Sequence, residues 1–121
     1  MRQTVFERYG GFASVSRVVT AFYDKVLDSP VASPYFEHTD MRRLIDHQTR
    51  FMSQLMGGPA SYTDDQLERV HARLHITEEA FTEVAVLLQE TLEDMDFEPE
   101  DVAAVCDQVM ARKRYIVTGG S

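Results

Sequence analysis

The six glycines of this 121-residue chain fall entirely in three pairs, Gly10-Gly11, Gly57-Gly58 and Gly119-Gly120, and its four prolines stand at Pro30, Pro34, Pro59 and Pro99. Glycine and proline are the residues a helix interior tolerates least. They cut the chain into pieces at 12–29, 35–56, 60–98 and 100–118, each longer than a typical strand. Within the pieces the apolar period is helical. Val15, Val18, Val19, Phe22 and Val26 follow one helical face, and Ser29-Pro30 ends it. Met41, Leu44, Ile45, Phe51, Met52, Leu55 and Met56 make a second stripe that stops at Gly57-Gly58-Pro59. Thr63-Asp64-Asp65-Gln66 reads as a capping box before a short helix bearing Leu67, Val70, His71 and Leu74. Thr77-Glu78-Glu79 caps a long helix with Phe81, Val84, Leu87, Leu88, Leu92 and Met95. Val102, Val105, Val109 and Ile116 follow Pro99 on a last helix. No turn dipeptide joins two alternating runs and no segment repeats. The fold class is all-α, in one domain.

Charge and cysteine content narrow the function. Twenty acids against twelve bases give a net charge of −8, which argues against a nucleic-acid footprint and against a basic helix lying on anionic lipid. No apolar run is long enough to span a bilayer, and Met1-Arg2-Gln3-Thr4 opens no signal peptide, so the expectation is a cytoplasmic protein. The single Cys106 excludes an intramolecular disulfide, a cysteine-rich zinc site and thiol attachment of haem. Residues 78–107 hold eleven acids and no Lys or Arg, read as a solvated face.

Three polar side chains break the apolar stripes. Gln48 lies on the same helical face as Leu44, Ile45 and Phe51; Tyr23 follows Phe22 on the inner side of the first long helix; His71 falls on the stripe of Leu67, Val70 and Leu74. A buried amide or phenol without a partner costs about 1–3 kcal/mol, so either these groups bond to backbone inside a core or they surround a polar-tipped pocket. His71 and His75 have the i, i+4 spacing of a two-histidine metal site. Ala72 stands where a zinc protease carries its glutamate, and no third ligand completes the set. No nucleophile elbow and no phosphate-cradling glycine loop is present.

The order and spacing of these residues resemble the group I truncated haemoglobins over nearly the whole chain. The resemblance runs through Phe6-Glu7-Arg8-Tyr9-Gly10-Gly11, Ala21 to Asp28 with Phe22-Tyr23, and Pro34-Tyr35-Phe36-Glu37-His38-Thr39-Asp40-Met41. It continues in His47-Gln48 to Phe51, Leu55-Met56-Gly57-Gly58-Pro59, Tyr62-Thr63, Val70-His71 and Ile76-Thr77-Glu78-Glu79-Ala80-Phe81. It implies a two-on-two helical sandwich around haem b (iron protoporphyrin IX), with a globin domain over 1–118 and a disordered or adventitious end at 119–121. His71 would be the proximal iron ligand. Phe36 would wedge against the porphyrin. Tyr23 and Gln48 would face the ligand from the distal side and bond each other, with Leu44 where many globins carry a distal histidine or glutamine. Arg43 would reach a propionate, and Phe51, Met52 and Phe81 would line the pocket. His47, next to the distal glutamine, is where some members carry a second, internal iron ligand. Where the family often has a glycine after the proximal histidine, this chain has Arg73-Leu74-His75-Ile76.

The function that the resemblance implies is binding of dioxygen, and of NO or CO, with nitric oxide dioxygenation driven by an external, unidentified reductase. The competing class is a haem-based gas or redox sensor, or an electron-transfer protein with bis-histidine iron.

Overall fold

A computed structural model describes residues 3–59 and 76–117, and every regular element among them is helical. The order is α1 (Val5–Arg8), α2 (Phe12–Asp28), a 3-10 turn (Ser33–Phe36), α3 (Met41–Leu55), α4 (Glu78–Asp94), α5 (Pro99–Ala111) and α6 (Lys113–Ile116). The expected short helix around Leu67 to Leu74, together with His71 and His75, lies outside the described residues, as does the 118–121 end.

The helix starts follow their local chemistry. Thr4 and Glu7 form a reciprocal capping box on α1; the Asp40 side chain accepts from the Arg43 N–H at α3, and Thr77 Oγ1 accepts from the Ala80 N–H at α4. Pro99 opens α5 in the first turn, where its missing N–H costs nothing. Gly11, at φ 74°, lets the chain turn from α1 into α2 with backbone an L-residue side chain strains to adopt.

The packing of the four long helices closes a ring. α2 packs on α3 and on α4, and α5 packs on α4 and on α3. Each helix is therefore held by two others, and the core sits between them: Val15, Val18, Val19, Phe22 and Val26 from α2, Phe51, Met52 and Leu55 from α3, Leu88 and Leu92 from α4, Val102 and Val105 from α5. On α3 the fully buried Ser53 donates to the Thr49 carbonyl at 2.7 Å and Thr49 donates to the Ile45 carbonyl at 2.8 Å. Their hydroxyls are satisfied inside their own helix, so small residues occupy the core face at no hydrogen-bonding cost. Among the described residues no helix is long and apolar enough to cross a membrane.

The α1 helix docks at both ends of the molecule's chain. The Phe6 N–H donates to the Met56 carbonyl at 3.0 Å, next to the Gly57-Gly58 turn. On its other side Arg8 grips Asp101 of α5 through two hydrogen bonds of 2.9 and 2.5 Å. The Tyr9 hydroxyl donates to the same carboxylate at 2.6 Å and accepts from the Glu98 N–H at 2.9 Å, while its ring stacks on Phe97 with centroids 3.9 Å apart. The acidic run of 78–107 is thus not wholly a solvated face. Asp101 is buried and paired, and Glu83, Asp94 and Glu78 pair with Ser29, Lys25 and Lys113.

Candidate functional site

The distal residues are presented by the facing sides of α2 and α3 and by the 3-10 turn between them. Tyr23 sits one position past Phe22 in the middle of α2, where the helical period turns both rings inward; the two rings meet edge to face with centroids 4.9 Å apart. Phe36 ends the 3-10 turn and meets Tyr23 edge to face at 5.7 Å. The sequence therefore brought a phenol and the expected porphyrin-facing aromatic to one place. The turn carrying Phe36 is itself tied to the start of α4, because the Thr77 N–H donates to the Tyr35 hydroxyl at 3.4 Å. Tyr35 was one element of the family resemblance only; no periodicity marked it, since its partner lies 42 residues away.

Tyr23 is 6% exposed, and it forms no hydrogen bond among the described residues. No side-chain nitrogen or oxygen there is sealed off without a partner. Burial pushes the phenol's pKa well above its usual value, so the group remains an O–H donor throughout the neutral and mildly alkaline range.

On α3, Leu44 and Ile45 are half-buried and pack on the core edge, Gln48 is half-buried one turn further, and Phe51 and Met52 are buried. Among the described residues no hydrogen bond joins Gln48 to Tyr23. Phe81, 3% exposed near the start of α4, is buried but stands outside the contiguous core cluster that holds Phe51 and Met52. Arg43 and His47 lie exposed on the outer edge of α3, beside rather than among the inward group. His38 is exposed in the loop, as its sequence position suggests.

These residues fit a flat apolar prosthetic group with one polar side. Phe36, Leu44, Phe51, Met52 and Phe81 supply apolar surface, a phenol and an amide have no hydrogen-bond partner among the described residues, and Arg43 stands exposed on α3. That set is compatible with a haem.

Comparison with known proteins identifies the family. The family model described as bacterial-like globin matches residues 4–117. A group 1 truncated hemoglobin of Mycolicibacterium paratuberculosis is 31% identical over 116 residues, covering 96% of this chain and 85% of the relative. One from Nostoc is 26% identical over 114 residues, covering 94% and 97%. Among solved structures, the 2/2 hemoglobin of Synechococcus, in a cyanomet state with covalently attached heme, superposes with a TM-score of 0.88 at 26% identity, covering 95% of this chain and 98% of that one. The truncated hemoglobin of Tetrahymena pyriformis superposes with a TM-score of 0.84 at 26% identity, covering 98% and 100%. The chain belongs to the bacterial-like globins, and within them it is a group 1 truncated haemoglobin, a haem-binding protein of the 2/2 fold.

Proposed function

We propose that this globin binds dioxygen beneath Tyr23 and Gln48, takes NO and CO at the same position, and consumes nitric oxide in the cytoplasm as a dioxygenase (NO + O2 + e− → NO3−). Haem, when bound, supplies the redox-active iron and an open coordination position. The chain's residues supply the rest. His71, outside the described residues, would hold the iron as a neutral imidazole. Phe36, Phe51, Met52 and Phe81 would supply apolar contacts to the macrocycle and exclude water, Leu44 would add an apolar contact, and Arg43 would pair with a propionate.

The observation that supports this reading is the Tyr23 phenol, 6% exposed and without a hydrogen-bond partner among the described residues. Such a donor is placed for a ligand that draws negative charge. Hydrogen bonds to a charged acceptor contribute about 1.5–3 kcal/mol each, so a phenol and an amide acting together slow ligand escape by roughly two orders of magnitude or more. A slow-releasing site suits consumption of oxygen better than its delivery.

Stopped-flow measurement of dioxygen release tests the proposal. Tyr23→Phe removes one donor with little change of volume and raises the dissociation rate at least about tenfold. Gln48→Leu also accelerates release, and the double variant falls short of the product of the two because both groups serve one ligand. An unchanged rate in Tyr23→Phe overturns the assignment.

A further inference from the structure

Two stretches of this chain differ sharply in charge. Residues 78–107 on the α4–α5 side carry eleven acids and no Lys or Arg. The α3 helix reverses the sign: its charged residues are Arg42, Arg43 and Arg50 against a lone Asp46, and all four are exposed, with His47 exposed beside them. Asp46 is occupied by Arg50 at 3.3 Å, and neither Arg42 nor Arg43 has an ion-pair partner among the described residues. Beside this strip a groove runs between α3 and the start of α2, walled by Arg42, Ile45, Arg50 and the Arg50-paired Asp46 on one side and by Phe12 and Ser16 on the other. Phe12 is 47% exposed there although its ring edge is braced against Phe6, with centroids 4.9 Å apart.

An aromatic held rigid at the surface and flanked by arginines is the composition of an interface centre. On a molecule of net charge −8 the basic strip also restricts who can dock and how. An acidic partner is repelled from the acidic stretch of α4 and α5 and attracted to α3, which biases its approach before contact; in the second basic run, Arg112-Lys113-Arg114, Lys113 is already paired with Glu78. The outer edge of α3 includes Arg43, the residue proposed above to hold a haem propionate. A partner seated on Arg42 and Arg50 thus meets the same helix that carries Arg43.

We propose that the α2–α3 groove, with Phe12, Arg42 and Arg50 at its centre, is the docking surface for a small acidic electron-donor protein that supplies the one electron each dioxygenation turnover consumes. This rests on the haem-globin and dioxygenase reading above.

The test uses the haem-loaded ferric chain and, as probe, an acidic flavodoxin in its hydroquinone form. The second-order rate of haem reduction falls steeply with added salt in the unaltered chain. Arg42→Glu/Arg50→Glu lowers that rate at least about tenfold at low ionic strength and flattens the salt dependence. Arg112→Glu/Arg114→Glu, which changes the net charge by the same amount elsewhere, lowers it far less. Reduction by dithionite and the Soret absorbance stay unchanged in both, which shows that fold and haem are intact. Titration of oxidised flavodoxin into the 15N-labelled protein shifts the amides of Phe12, Ser16, Arg42 and Arg50. Equal slowing in the two charge-matched variants, or amide shifts confined to another face, overturns the proposal. The dioxygenase reading is tested apart from it, by mixing dithionite-reduced, oxygen-equilibrated protein with nitric oxide and counting nitrate. Nitrate formed there with no α3 effect sinks the docking surface alone, and an α3 effect without nitrate sinks the dioxygenase reading alone.

Discussion

At Gly58 a single added carbon meets the fold. A Cβ there would stand 2.8 Å from the Phe6 ring and 2.9 Å from the Ser53 carbonyl oxygen, and neither the ring's root nor a helix carbonyl can move aside cheaply. Gly58→Ala therefore lowers stability by about 1–3 kcal/mol, read as a fall in the thermal midpoint of the haem-loaded protein. Its neighbour Gly57, at φ 89°, is glycine for a backbone reason instead. At His47 the same scale gives a spectroscopic prediction. The side chain is exposed on the outer strip of α3, while Leu44 and Gln48 hold the inner positions. Exposure in this direction favours an iron not ligated by His47. The ferric protein at neutral pH is expected to show a high-spin spectrum that His47→Leu leaves unchanged; a low-spin spectrum that turns high-spin in the variant would establish internal ligation.

At the scale of elements, the four-residue α1 is far too short to be stable alone and is held by what it touches. Its main anchor is Asp101, whose carboxyl is held below the usual carboxylate range by the Arg8 guanidinium and, secondarily, by the Tyr9 hydroxyl, against the opposing effect of burial. Because the folded carboxyl binds its proton less readily than the unfolded one, the contact stabilises the protein fully above an ordinary Asp pKa of about 3.9, and that stability is lost as pH falls through the depressed value. Asp101→Asn should lower the thermal midpoint at neutral pH, by about 1–3 kcal/mol in stability, and the difference between variant and parent should shrink as the pH is taken below about 4. The helix start at Thr77 was legible in the sequence because capping is a three-residue affair, and the caps at Thr4 and Asp40 obey the same chemistry. The role of Asp101 was not, because it sits in an acidic run and its guanidinium partner is 93 residues away. The same limit hid the Tyr35–Thr77 tether, while Tyr23 and Gln48 stood out because a polar group on an apolar stripe is visible in periodicity alone.

At the scale of the whole molecule, periodicity says which face of each helix is buried but not which helix it meets. The ring of contacts in which α2 and α5 each bridge α3 and α4 therefore came from the likeness to the truncated haemoglobins. That ring has a consequence for how haem and fold depend on each other. The core of Val15, Val18, Phe22, Leu88, Leu92 and Val105 joins α2, α4 and α5 without needing Phe81, which is buried apart from it. The four-helix frame should accordingly survive removal of haem as a folded but weaker protein. A ligand that binds only the folded chain adds RT ln(1 + [L]/Kd), about 4 kcal/mol when haem is present at a thousand times its dissociation constant. Thermal melts with and without one equivalent of haem, followed by helical circular dichroism, should therefore show one transition each, with the haem-loaded midpoint clearly higher. His71→Ala should bring the haem-supplemented melt down to the haem-free one, because the proximal bond is what separates retained haem from loosely adsorbed haem. His75→Ala should keep the full difference, since it matches no ligand position in the family. Equal loss in the two variants would remove His71 from the iron, and a haem-free chain with no cooperative transition would show that the frame is completed only by its prosthetic group.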